Sequence, residues 1–269
     1  MKAVILDGSH ANDITGERVR AALLAELRSR GWEVEHFLLR DMKIGNCAGD
    51  FFCWIRNPGL CNVDDANRDI AAAIVQGDLL VYLTQITFGG YSSALKKAVD
   101  HQVQNISPFF AKVNGETHHQ KRYQKYPDCL TIGWLEQPDA QAEAVFRHLA
   151  WRNALNMYAK SAVSGVVLAG QTDGEIQDSA QGWLESLDKG IKPQAVALPE
   201  TRPVAEPGAV EIRRALLLVG SPRTRKSTSH SLGGYLFEQL GKQNIQTETV
   251  FLHTVLRSQE KSRALLDAV

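Results

Sequence analysis

The sequence predicts an α/β fold with a five-stranded parallel sheet covered by helices on both faces, and three observations carry that prediction. Short, strongly apolar runs alternate with longer segments of helical spacing, the pattern of linked β-α-β units. One run, Leu79 to Thr84 (LLVYLT), is apolar almost throughout, as a strand buried on both faces must be. Loops rich in Gly and Ser leave two of these runs, at the edge where open α/β sheets take up ligands.

Lys2 to Asp7 (KAVILD) is the first strand, and Glu17 to Arg30 the first helix, with Val19, Ala22, Leu23 and Leu27 at helical spacing. Val34 to Leu39 is the second strand, Asp65 to Gln76 the next helix, Leu79 to Thr84 the central strand and Ser93 to Gln102 the helix after it. Leu130 to Leu135 and Ser164 to Leu168 complete the sheet, with helices over Asp139 to Asn156 and Glu175 to Leu187. A first domain is therefore expected over residues 1–194. Residues 195–210, rich in Pro, Ala and Glu, read as a linker.

Residues 211–269 repeat the opening of the chain. Arg214 to Val219 (RALLLV) followed by Gly220-Ser221 copies KAVILD followed by Gly8-Ser9, and a helix over Ser231 to Leu240 leads to a strand over Thr247 to Leu252. Aligned without gaps, Lys261 to Val269 falls opposite Gly49 to Asn57, before the central strand of the copy. The segment is expected to be an incomplete second repeat with little helix, which must pack on the first domain, pack on another chain, or stay loose.

In 269 residues, 30 Lys and Arg balance 30 Asp and Glu, so no global field gathers a polyanion or an anionic membrane. Neither nucleic acid nor membrane is an expected partner. No apolar run approaches the roughly 20 residues of a spanning helix, and Met1-Lys2 leads straight into a strand, so a cytoplasmic location is expected. The cysteines Cys47, Cys53 and Cys61 crowd together while Cys129 stands apart, unlike a secreted disulfide framework.

In Gly8-Ser9-His10-Ala11-Asn12-Asp13-Ile14-Thr15-Gly16, small and hydroxyl residues join a strand to a helix, where free backbone N–H groups favour a phosphate. Ser9, Asn12 and Thr15 can each donate to phosphate oxygens. An ordinary turn capped by Asp13 or Thr15 is the competing reading. No dinucleotide GxGxxG or Walker lysine is present. The second stretch, Thr84-Gln85-Ile86-Thr87-Phe88-Gly89-Gly90-Tyr91-Ser92-Ser93, leaves the central strand and suits a flat heterocycle. Phe88 and Tyr91 offer aromatic faces, while Gly89 and Gly90 permit close backbone approach. A glycine turn with Tyr91 as a core anchor remains open beside it.

Together these two stretches resemble the NADPH-dependent FMN reductase family of flavodoxin-like proteins, over roughly Met1 to Leu187. The Gly8-Ser9 to Thr15 loop and the segment QITFGGYSS followed by Leu95-Lys96 carry the resemblance, with Gln85 standing where a proline is expected. The resemblance implies that Ser9, Asn12 and Thr15 hold the FMN phosphate, and that Thr84, Ile86, Thr87, Phe88, Gly89 and Tyr91 line the isoalloxazine. The partial repeat resembles the same family, with Gly220 to Arg223 and Ser227 to Ser229 as its phosphate loop, yet only the first copy continues into a ring segment. One FMN per chain is expected.

Cys47-x-x-Asp50-x-x-Cys53-x7-Cys61 resembles the cysteine motif of iron-sulfur flavoproteins, which bind a [4Fe-4S] cluster through four cysteines. Asp50 replaces one thiolate, a soft ligand that cluster iron prefers, so a cluster is not favoured. The competing reading has Cys47, Cys53 and Cys61 as loop residues packed around Phe51, Phe52 and Trp54. Paired CxxC spacing for zinc is absent. Pro108 to Pro127 reads as a long polar loop in which His118, His119 and Arg122 are candidate substrate contacts, with a subunit interface as the alternative.

A flavin supplies its own redox chemistry, and no nucleophile elbow, HExxH or kinase signature competes with it. The resemblance implies an FMN-dependent NAD(P)H oxidoreductase passing hydride or electrons to a quinone, flavin or similar small acceptor, expected as a homo-oligomer. The alternative is an electron-transfer flavoprotein, of flavodoxin or iron-sulfur type, serving protein redox partners.

Overall fold

The computed structural model describes residues 1–113, 115–198, 212–221 and 223–268. It divides into two compact units, residues 1–200 and 201–269. Most of the expected linker, from residue 199 on, and Pro222 of the second Gly-Ser loop lie outside the described residues.

In the first unit the chain runs β1 (Lys2–Asp7), α1 (Ile14–Ser29), β2 (Glu33–Leu38), a single turn α2 (Phe52–Ile55), α3 (Asn67–Gln76), β3 (Leu79–Gln85) and α4 (Ser93–His101). A hairpin of β4 (Ile106–Val113) and β5 (Glu116–Lys121) follows, then β6 (Asp128–Leu135), α5 (Ala140–Asn156), β7 (Ala162–Leu168) and α6 (Asp173–Asp188). The main sheet has five strands in the order β2-β1-β3-β6-β7, with every pairing parallel. That is the flavodoxin-like order, whose direction of winding reverses between β1 and β3.

Side-chain alternation in the strands builds two cores. Ala3 and Ile5 of β1 and Leu79, Val81 and Leu83 of β3 face Val19, Leu23 and Leu27 of α1 and Ile176 and Leu184 of α6. Val4, Leu6, Leu80 and Tyr82 point the other way, onto Ile70 and Ile74 of α3, Leu95 of α4 and Phe146 of α5. Covering both faces explains why LLVYLT shows no polar alternation.

The long polar loop expected over Pro108 to Pro127 is instead built around the antiparallel β4–β5 hairpin. Phe110 pairs with His119 and Ala111 with His118; β5 (ETHHQK) holds no apolar residue and β4 (ISPFFAKV) exposes Phe109 and Phe110, so neither strand shows a period of two.

The second unit pairs β8 (Arg214–Val219) with β9 (Gln246–Phe251) in parallel, joined by α7 (Thr228–Gly241), and ends in α8 (Leu252–Val255) and α9 (Gln259–Ala268). The register Arg214↔Gln246 to Val219↔Phe251 repeats the β1–β2 register, Lys2↔Glu33 to Asp7↔Leu38. It holds more helix than expected, because α9 is nucleated by Ser258, whose Oγ accepts from the Lys261 amide at 3.3 Å. Too few apolar residues mark α9 for its period to be read.

Candidate functional site

The winding reversal leaves a crevice outside the carboxyl ends of β1 and β3, and backbone hydrogen bonds draw the two loops together there. The Gly8 amide donates to Leu83 O at 2.8 Å, and Ser92 Oγ donates to Gly8 O at 2.7 Å. A Cβ on Gly8 would sit 2.6 Å from both Leu95 Cβ and Ser92 Oγ, so only glycine lets the loops close to this distance. The two stretches singled out in the sequence are thus one site.

The first loop rests on Asp7, which is fully buried. Its Oδ1 accepts from the Ser9 amide at 2.9 Å, and its Oδ2 lies 3.0 Å from Arg20 Nη1 and 3.2 Å from His36 Nε2. Burial opposes ionisation of this carboxyl, but hydrogen bonds from His36, Ser9 and Arg20 outweigh burial and hold it at about 2. Ser9 is itself buried, and its Oγ accepts from Arg40 Nη1 at 2.9 Å, which leaves its own proton to donate elsewhere. Arg40 also donates to His10 O at 3.0 Å. Asn12 adopts the left-handed conformation at φ 61, turning the chain into α1.

Asp13, not Thr15, caps α1: its Oδ1 accepts from the Gly16 amide at 2.9 Å and its Oδ2 from Trp134 Nε1 at 3.0 Å. Before this cap lies a pocket of about 470 Å³ whose wall includes Asn12, Thr15, Arg18, Gln85 and Glu136. Arg18 is tied to the far wall through Asp173 at 2.6 Å and the carbonyls of Ala169 and Gln171. Arg40 and Glu136 become neighbours of the loop only through the sheet, whereas Arg18 stands one helical turn after Thr15 on α1 and Gln85 belongs to the second stretch itself. Arg40, in the turn after β2, follows from the β1–β2 register alone.

In the second loop, Thr87 and Gly90 exchange both backbone hydrogen bonds, at 3.0 and 2.8 Å, around a tight turn with φ 50 at Phe88 and φ 75 at Gly89. Two positive φ values in a two-residue turn make the glycine a conformational requirement. A Cβ on Gly89 would also lie 2.8 Å from Val145 of α5. Phe88 stands fully exposed at the turn's tip and Ile86 is buried.

Thr84 is wholly buried; its hydroxyl donates to Gln85 O and accepts from the Ser92 amide, both at 2.8 Å. Tyr91 is a core anchor: its ring packs beside Tyr82 and edge-on to Phe146, and its hydroxyl accepts from Asn153 at 2.8 Å. Burial pushes the Tyr91 phenol up. These two side chains support the loop from behind.

The three candidate contacts in and after the hairpin each have neighbours of their own, and His119 Nδ1 is buried without a hydrogen-bond partner. His118 is buried between Asn156 Oδ1 at 3.2 Å and Glu116 Oε2 at 3.0 Å. His119 lies between the rings of Trp54 and Phe110, and Arg122 is spent on the carbonyls of Gln104 and Ile106, both at 3.0 Å. None of the three lines the pocket before α1.

Among the described residues, no three His, Cys, Asp or Glu side chains converge as a metal site requires. Cys61 Sγ instead lies 3.8 Å from His101 Nδ1, and Cys47 is exposed. Burial raises the Cys53 thiol, and the charges of Cys61, Cys47 and Asp50 push it further. Asp50 bonds its own loop, accepting from the Phe52 amide at 3.0 Å. Among the described residues no helix is long and apolar enough to cross a membrane.

A five-stranded 2-1-3-4-5 sheet with an anion-ready helix start beside a glycine turn at its switch point defines the flavodoxin-like class. Within that class, residues 1–121 match the model of the NADPH-dependent FMN reductase family. Solved structures agree on the fold. An NAD(P)H:quinone oxidoreductase from Methanothermobacter marburgensis aligns with TM-score 0.52 at 12% identity, covering 68% of this chain and 96% of that one. A Klebsiella pneumoniae protein assigned as a quinone reductase aligns with TM-score 0.51 at 10% identity, covering 72% and 86%. No curated protein matches the chain.

Proposed function

We propose that the first unit binds FMN and acts as an NAD(P)H oxidoreductase that passes hydride or electrons to a quinone, flavin or similar small acceptor. The observation that carries this reading is the pocket of about 470 Å³ at the switch point, lined mostly from the part of the chain that matches the FMN reductase family and closed by Glu136 and Ala169 beyond it.

The residues present fit the group. The start of α1 offers backbone N–H groups, with Ser9, Asn12 and Thr15 as hydroxyl and amide donors for the phosphate. The Asp13 cap brings a negative charge to the same place, while Arg18 lines the same pocket and Arg40 holds the Ser9 hydroxyl. The backbone of Thr84 to Tyr91 would edge the ring, with Ile86, Thr87, Phe88 and Gly89 nearest and with Thr84 and Tyr91 fixing the loop from within. Gln85, at the pocket wall, adds an amide that can bond a ring edge. Bound FMN supplies hydride acceptance and one- or two-electron release, so the protein needs no nucleophile of its own. Its work is to bind, orient and shield the group.

The test is direct. FMN titrated into the purified chain should bind one per chain, and the yellow complex should bleach rapidly on NADPH or NADH addition under nitrogen. A chain that stays colourless with FMN in excess overturns the reading. A yellow complex bleached only by dithionite or a redox protein supports the electron carrier instead.

A further inference from the structure

A second cavity lies away from the switch point, between α5, the first half of β7 and the segment Ile191 to Val196 that straps across them. The strap is pinned at both ends: Ile191 O accepts from the Ala162 amide at 2.8 Å, and Val196 O lies 2.9 Å from His148 Nδ1. Val163 in this cavity and Ala169 in the pocket before α1 are six residues apart on one strand direction, about 20 Å at 3.3 Å per residue. The two sites are separate.

We propose that this cavity is a binding site for a monocyclic aromatic carboxylate. Its volume is about 220 Å³. A dry cavity of roughly 150 Å³ accepts a benzene ring, so the space suits one ring with a small substituent. Ala150, Trp151 and Ala154 of α5 and Ala162 of β7 give it apolar walls. Ligand sites combine such walls with a few convergent polar groups, and the floor supplies them.

Thr131 is 2% exposed and lines the cavity, yet among the described residues its hydroxyl has no hydrogen-bond partner. Ser164 is its ladder partner on the same sheet face, about 5 Å away at ordinary strand spacing. Ser164 Oγ accepts from Arg147 Nη1 at 3.4 Å, which frees its own proton to donate into the cavity. Two hydroxyl donors side by side ask for an acceptor oxygen.

Charge selects the kind of oxygen. The lining holds two cations, Arg147 and Lys192, and no acid. Glu143 pairs with Arg147 at 2.8 Å, whereas Lys192 at the rim has no acidic partner among the described residues. Cys129 adds no charge, because burial pushes its thiol up to about 12. The resulting field favours an anion.

Benzoate is the probe, titrated into the full chain with and without saturating FMN and followed by calorimetry and saturation-transfer NMR. A Kd of about 0.1–1 mM is expected for so small a ligand, unchanged by FMN, with phenol weaker and benzylamine silent. Thr131→Val and Lys192→Gln should each weaken benzoate about fivefold. Lys192 is exposed, so Lys192→Gln leaves the fold intact and the test stands even if a core variant unfolds. Absence of benzoate binding, displacement of benzoate by FMN, or an unchanged Kd in Lys192→Gln overturns the proposal. Because the readout is benzoate binding, failure of the FMN reading leaves it independently testable.

Discussion

Replacing Asp7 by Asn tests the buried charge on which the first loop is built. The folded carboxyl sits at about 2 against an ordinary 3.8, because hydrogen bonds from His36, Ser9 and Arg20 overcome the cost of burial. At about 1.4 kcal/mol per tenfold change in ionisation, that drop contributes about 2 kcal/mol to stability at neutral pH. The folded value lies below the unfolded one, so the contribution is complete above the unfolded value of 3.8 and is lost as pH falls through about 2. By the same relation, roughly half of it is gone at pH 3. Asp7→Asn keeps the shape but removes the charge that Arg20 and His36 face. A loss of about 2 kcal/mol is expected at pH 7, narrowing to about 1 kcal/mol at pH 3. All five tryptophans lie in the first unit, so urea melts followed by tryptophan fluorescence report its unfolding alone. Subtracting variant from wild type cancels the other carboxylates. Equal stabilities at pH 7, or a gap of the same size at pH 7 and pH 3, would refute the reasoning.

Arg40→Ala removes a charged donor from the Ser9 hydroxyl and should weaken FMN about 10- to 100-fold, as a lost charge-assisted hydrogen bond does, with the deficit read by fluorescence titration. Gly89→Ala forces a side chain onto φ 75 and against Val145, and thermal melts should show the first unit losing about 1–2 kcal/mol together with weaker FMN binding. Tyr91→Phe leaves the Asn153 amide without its acceptor and should lower stability by about 1 kcal/mol; an FMN-specific defect at unchanged stability would show that the hydroxyl faces the ligand instead. Leu83→Ala, at a fully buried position in β3, should cost about 2–5 kcal/mol in urea melts.

Much of the molecule was legible along the chain. Apolar runs gave every strand of the main sheet to within two residues, because a strand buried on both faces can hold little else. The two adjoining loops could be found because small residues, hydroxyls and glycine at strand ends are local features. The repeat at Arg214 was equally local, and its register copies that of β1 and β2.

What required the tertiary structure was every feature set by neighbours distant in sequence. Asp13 rather than Thr15 caps α1 because Trp134, 121 residues away, secures its second oxygen. Tyr91 turns inward because Tyr82, Phe146 and Asn153 make a pocket for it, although its sequence neighbours suggested a ring wall. Arg40 reaches the loop after β1 through the pairing of β1 with β2, and the cavity at Thr131 exists only where a strap, a helix and two strands meet. Local composition determined which segments form strands and helices and which loops can face a ligand, since those depend on short-range sterics and periodicity. Which side chains complete the site was decided by the winding of the sheet, since hydrogen bonds and burial form between residues that only the fold brings together.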